Sequence, residues 1–193
     1  MSTRGAVSAA VAVLVLSGCG VGSAPGAPVV GVAGRPTTPP AVAKSLDLAA
    51  ASDPCAAVPR SIPLGLGVYG DGQPHEGGGQ RYCVWADKVD WPRITVAFSS
   101  ADPLAEAYRD AERPDPGGDG LRWKLFEPTA VDGQPALVRA QRTDGSRLCE
   151  VVVGTGGGGG IVVSAGASGP SDTGGQCRTA VSAANEVVSS LRA

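Results

Sequence analysis

The 193-residue chain has one histidine, two phenylalanines and one methionine, and aromatic residues make up only 4% of it. A single histidine excludes the multi-histidine sites that carry hydrolytic zinc chemistry. Neither charge sign is in large excess: the formal net charge is −2, which argues against nucleic-acid binding as the main task. No apolar run reaches the ~20 residues needed to span a bilayer as a helix. No Cys-x-x-Cys occurs, and no Gly-x-Ser-x-Gly elbow stands between a strand and a helix; Gly166-Ala-Ser168-Gly169 is one residue short of that spacing. Glycine (29) and proline (16) are abundant instead, so part of the chain is expected to stay outside any packed core.

The first eighteen residues read as an export signal. Arg4 and the Met1 amine form a positive start, residues 5–16 are mostly apolar, and no acidic residue precedes Asp47. The ending Leu16-Ser17-Gly18-Cys19 resembles the lipobox of bacterial lipoproteins, in which a diacylglycerol joins the Cys thiol and cleavage makes that Cys the first residue. Cys19 is therefore the expected lipidation site, and the membrane the expected partner through that anchor. Stable anchoring needs two or more acyl chains, each buried methylene contributing about 0.8 kcal/mol. The mature chain is expected to start with lipidated Cys19 and a disordered tether over 19–45, rich in Gly and Pro and without apolar periodicity. A single domain over 46–193 follows, large enough to bury about 70% of its unfolded surface.

Within that domain Asp53-Pro54 is a helix-start signature, as is Asp102-Pro103, which opens a short helix to about Ala111. Strands are expected at 80–86, 93–99, 123–127, 135–142, 147–153 and 160–165, with Thr143-Asp-Gly-Ser146 as a hairpin turn. Ala180, Ala184, Val187, Val188 and Leu191 form the apolar stripe of a terminal helix over 174–191. The fold class is thus α+β: an antiparallel β-sheet covered by N-terminal, middle and C-terminal helices.

Besides Cys19, four cysteines remain, and an even number in an exported chain reads as two disulfides with three possible connectivities. Cys55 and Cys83 are 28 apart, as are Cys149 and Cys177; each pair joins a predicted helix start to a strand. Sequential pairing would staple a helix at each end of the domain onto the sheet.

The ordered set of lipobox, tether, Asp53-Pro54-Cys55, Tyr82-Cys83-Val84-Trp85, Val131-Asp-Gly-Gln-Pro-Ala136, Leu148-Cys149-Glu-Val-Val-Val153 and the Cys177…Leu191 helix resembles the actinobacterial lipoproteins grouped as "domain of unknown function 3558". The resemblance spans about 46–193. It implies an exported, membrane-anchored protein and carries no catalytic residues over. By more distant analogy the domain is similar to small exported folds of the PsbP/Mog1 type.

Gly154-Thr-Gly-Gly-Gly-Gly159 matches Gly-x-Gly-x-x-Gly, but a strand rather than a helix follows it, so it is a hairpin connection and not a phosphate cradle. His75, between Asp71 and Glu76, has the composition of a general-base or metal site, yet lies among glycines and reads as a solvated loop. Trp85 is expected in the core, Trp91 in a turn, and Trp123 as a further anchor. No catalytic residue, cofactor or metal ligand is expected. The function this leaves is a non-catalytic envelope protein that binds a protein, a cell-wall polymer or a small ligand. A carrier of lipid or another apolar molecule, using a cavity between sheet and helices, is the alternative; an envelope hydrolase would need a site organised around His75 or a serine. Replacing Cys19 with Ser should move the protein from the membrane fraction to the soluble fraction; a variant still sedimenting with membranes would refute the anchor.

Overall fold

The computed structural model describes residues 34–48, 53–65, 67–86, 92–118, 120–142, 148–166 and 175–192. Cys19, Trp91, the turn at 143–146 and Ser168 lie outside the described residues. Seven strands form one antiparallel sheet: β1 (Gln73–Gly77), β2 (Gln80–Ala86), β3 (Arg93–Ser99), β4 (Leu125–Val131), β5 (Gln134–Ala140), β6 (Leu148–Gly156) and β7 (Gly159–Gly166). Their order across the sheet is β1-β2-β3-β7-β6-β5-β4. Three helices, α1 (Ser61–Gly65), α2 (Pro103–Arg109) and α3 (Gly175–Ser190), complete an α+β architecture. Among the described residues, no helix is long and apolar enough to cross a membrane.

The strand pattern follows from what lies on each face. In β3, Ile94, Val96 and Phe98 join the larger apolar cluster, as do Cys149, Val151 and Val153 of β6 and Ile161, Val163 and Ala165 of β7. Against them packs α3, whose Ala180, Ala183, Ala184, Val187 and Val188 have no exposed surface. Alanines at the contact let the helix approach the valine-rich strands closely, so this core closes with few aromatics. Leu46, Ala57, Val58 and Val68 join the same cluster, beside Cys83 and Trp85 of β2. On the opposite face a smaller cluster joins Leu104, Ala107 and Tyr108 of α2 to Leu137 of β5 and Val152 of β6. Strands β5 and β6 are therefore apolar on both faces, which explains the unbroken runs Ala136-Leu-Val138 and Val151-Val-Val153.

Both disulfides pair as the spacing indicates. Cys55 joins Cys83 and Cys149 joins Cys177, with Cα–Cα separations of 5.0 and 5.1 Å. The second bond ties the first turn of α3 to β6. The first differs in one respect: no helix starts at Asp53-Pro54. Asp53 accepts a hydrogen bond from the Cys55 amide at 2.8 Å, closing a turn, and Pro59 disfavours helical geometry at Val58. The first helix comes later, at Ser61.

Three further differences have local causes. Strand β4 runs on to Val131, past Pro128; it is an edge strand, where a missing N–H costs no ladder bond. It then turns through Asp132 and Gly133, both at positive φ (45° and 75°), into β5. The stretch around His75, expected as a loop, is the other edge strand, β1, paired with β2 through the positive-φ glycines 78 and 79. Finally, packing against the domain reaches back to Gly34. Arg35 donates to the carbonyls of Ala111 (3.0 Å) and Lys124 (3.2 Å) and lies over the Phe126 ring. The carbonyl of Lys44 accepts from Gln134, and the Leu46 amide donates to the Thr155 carbonyl. Side-chain and backbone anchors thus seat residues that composition alone assigns to a tether. Burial pushes the Arg35 guanidinium pKa down from its ordinary value, and the Glu112 carboxylate opposes that shift.

Replacing both cysteines of either disulfide by alanine should lower unfolding free energy by roughly 3.5 kcal/mol on the loop-entropy model. Urea denaturation of each double variant measures this, and a loss under about 1 kcal/mol in both would refute the stapling role.

Candidate functional site

Helix α2 is short. Its start is set by Asp102, whose carboxylate accepts from the Ala105 amide at 2.9 Å, with Pro103 at the first helical position. Its apolar side, Leu104, Ala107 and Tyr108, rests on the sheet. The start is also fixed by Gly160 of β7, where a Cβ would come within 2.5 Å of the Pro103 ring. The helix packs against β5, β6 and β7, and beside it lies a groove of about 590 Å³.

The register decides what lines this groove. Thr95 of β3, Ser164 of β7, Glu150 of β6 and Arg139 of β5 are successive cross-strand partners. They form one polar row across four strands, all four in the groove lining. Tyr82, Ala97 and Val162 form the neighbouring row. Glu106 of α2 and its C-cap Asp110 make one wall, and Arg113, Arg122 and Trp123 of the connection into β4 make another. These are residues that polar–apolar alternation places on the α2 side of the sheet, since their neighbours face the α3 side.

A stack organises the inner end. The Arg139 Nε donates to Glu150 Oε2 at 2.8 Å, and both side chains are 17% exposed. The Arg139 guanidinium lies 4.1 Å from the centre of the Trp123 ring, and the Arg122 guanidinium lies 5.4 Å from it. Trp123 is 5% exposed, so the indole is a fixed platform whose face attracts both cations. At the wall Arg113 pairs with Asp110 at 2.8 Å. Two of four arginines are thereby neutralised within the protein. Arg93 and Arg122 have no carboxylate partner among the described residues, and Glu106 has no cation. Arg93 is held along the floor by its Nε, which donates to Thr95 Oγ1 at 3.2 Å.

Residues singled out by the sequence fall elsewhere. His75 is exposed on β1 and stacks on Tyr82, ring centres 5.2 Å apart. Its imidazole makes no hydrogen bond to a described residue, and Asp71 pairs with Arg60 at 3.0 Å, so the His75–carboxylate grouping does not assemble. Among the described residues, no three His, Cys, Asp or Glu gather where they would hold a metal ion. The glycine run is a turn at Gly157-Gly158 between β6 and β7, with a register shift between Gly154 and Gly156. Trp85 is in the core at 3% exposure. The groove residues went unnoticed in the sequence because they are contributed by five strands, one helix and one connection. One signal was present: Arg139 and Glu150 each interrupt an apolar strand.

Replacing Glu150 with Ala should cost about 1–3 kcal/mol, because Arg139 then keeps a half-buried charge without its acceptor. Replacing both Glu150 and Arg139 with Ala should cost less than the two single losses added together. A double-mutant cycle by urea unfolding checks this, and additive losses would show the pair to be uncoupled.

No curated protein and no solved structure matches the chain. A family model matches residues 14–190, and the chain belongs to the family it describes, Protein of unknown function (DUF3558).

Proposed function

We propose that the protein is a non-catalytic binding protein of the bacterial cell envelope, held at the outer face of the membrane by a lipid on Cys19, that receives a polar ligand in the groove beside α2. The single observation that carries the binding role is that groove: about 590 Å³, within the size range of small-molecule sites, with Arg139 of its floor held by Trp123 and Glu150. The location rests on the export signal and lipobox of residues 1–19, on two disulfides, which persist in oxidising compartments, and on the resemblance to actinobacterial lipoproteins. The tether in this reading is the shorter stretch 20–33. A PsbP/Mog1-like arrangement, with helices covering the sheet, belongs to the same proposal; α2 and α3 packing on opposite faces supports it.

A non-catalytic role is favoured because two of the three groove carboxylates, Asp110 and Glu150, are already paired with arginines. No nucleophile–base pair stands among the described hydrogen bonds of its lining. The lining also speaks to the ligand. Four arginines and three carboxylates border the groove, and an apolar cargo would strip their hydration without replacing it. A polar occupant suits these walls better than a lipid tail, and nothing in the composition suits nucleic acid.

The groove reading predicts that native mass spectrometry of the mature protein, purified from its own envelope, will find a bound polar species. Ser164→Phe, which fills the groove floor, should abolish it while leaving both disulfides and the unfolding midpoint intact. Retention of the species by the folded variant would place the ligand elsewhere and defeat the proposal.

A further inference from the structure

We infer that the groove recognises an acidic saccharide: a hydroxyl-bearing ring carrying an anionic group, carboxylate or phosphate, whose oxygens accept from the Arg93 and Arg122 guanidinium groups. This rests on the groove being the binding site. The charge count points to an anion. Arg113 and Arg139 are matched by Asp110 and Glu150, which leaves two cations and one carboxylate, Glu106, in the lining without an ion-pair partner among the described residues.

The geometry of the two free cations is that of prepared donors. Arg93 spends only its Nε, on Thr95, so its two terminal nitrogens are open to a ligand acceptor. Arg122 is braced by the Trp123 ring and has no side-chain hydrogen bond to a described residue. A guanidinium with its plane already held and its terminal N–H groups unspent matches the paired oxygens of a carboxylate or phosphate. Preorientation also lowers the side-chain ordering cost of binding.

The neutral part of the ligand is argued from the rest of the lining. Thr95 accepts from Arg93, which leaves its hydroxyl proton to donate. Ser164, Tyr82 and Gln80 add donors and acceptors on the floor, and Glu106 offers an acceptor from the α2 wall. Hydroxyl, amide and carboxylate groups spread over one floor and one wall suit a ring with several hydroxyls.

The test is calorimetric titration of the detergent-solubilised mature protein with glucuronate, glucose 6-phosphate and glucose at constant ionic strength. Saturable binding of at least one acidic sugar, with glucose at least tenfold weaker, is expected; which acidic sugar binds tighter separates the carboxylate from the phosphate source. Arg93→Gln and Arg122→Gln should each weaken the acidic sugar about tenfold or more, the scale of a lost charge-assisted hydrogen bond. Arg178→Gln, exposed on α3, should change nothing. Equal binding of glucose that Ser164→Phe abolishes would overturn the acidic-saccharide inference and leave the groove standing. Binding of the acidic sugars that survives Ser164→Phe would overturn both. An equal loss in Arg178→Gln would reduce the effect to general surface charge, and no saturable binding of any of the three sugars would overturn the inference.

Discussion

The structure depends on a mismatch between its two faces. Seven strands at about 4.8 Å spacing make a sheet roughly 30 Å across. On one face α3, 16 residues long, and the segments holding Leu46, Ala57, Val58 and Val68 complete a continuous apolar layer. On the other lies α2, seven residues long, a cylinder about 10 Å in length and width. It reaches β5, β6 and β7, and among the described residues the neighbouring floor of β3 and β2 stays open. An open sheet face must be polar, and here it is polar in a particular way: Thr95, Ser164, Glu150 and Arg139 stand in one row, with charged walls above them. The groove is what remains when a short helix covers a wide sheet.

The disulfides and the scarcity of aromatics belong to the same economy of parts. Alanine and valine pack α3 closely onto β6 and β7, but each buried alanine or valine removes less apolar surface than a phenylalanine or tryptophan would. The Cys149–Cys177 bond adds a covalent constraint where α3 meets β6. The Cys55–Cys83 bond does the same for a turn that has no helix of its own to hold it against β2. With α3 fixed, the β6 and β7 residues on the groove side keep their register relative to β5 and β3, on which the row from Thr95 to Arg139 depends.

Much of the architecture was legible in the chain. The bounds of β2 and β3, the Asp102-Pro103 start of α2, the α3 stripe and both cysteine pairs follow from alternation, capping chemistry and spacing. The misses share a cause, which is that tertiary contacts decided between local options. Pro128 reads as a strand break until β4 is known to be an edge. Asp53-Pro54 reads as a helix start until Pro59 is seen to limit it. The Gly- and Pro-rich stretch before Leu46 reads as a tether because nothing in it shows that Arg35 finds two carbonyls and a phenyl ring on the domain. The groove was the least legible part. Its members are separated by up to 84 residues, Gln80 to Ser164, and only the strand order brings them to one floor.

The Trp123–Arg139–Glu150 stack also bears on why the groove is charged at all. A half-buried ion pair is weak evidence for stability, because desolvation offsets much of the attraction, and well-packed apolar side chains of similar volume often serve as well. Covering the open floor with leucine and phenylalanine would suit stability better and solubility worse. Stability alone therefore does not account for the arginines. Glu150 and Trp123 fix Arg139 from two sides, Thr95 fixes Arg93, and Trp123 supports Arg122. A protein that needed only a soluble face could use mobile lysines there. Arg93 and Arg139 on the floor and Arg122 in the wall are instead guanidinium groups each held by a neighbouring side chain, an arrangement that lowers the ordering cost of any contact they make.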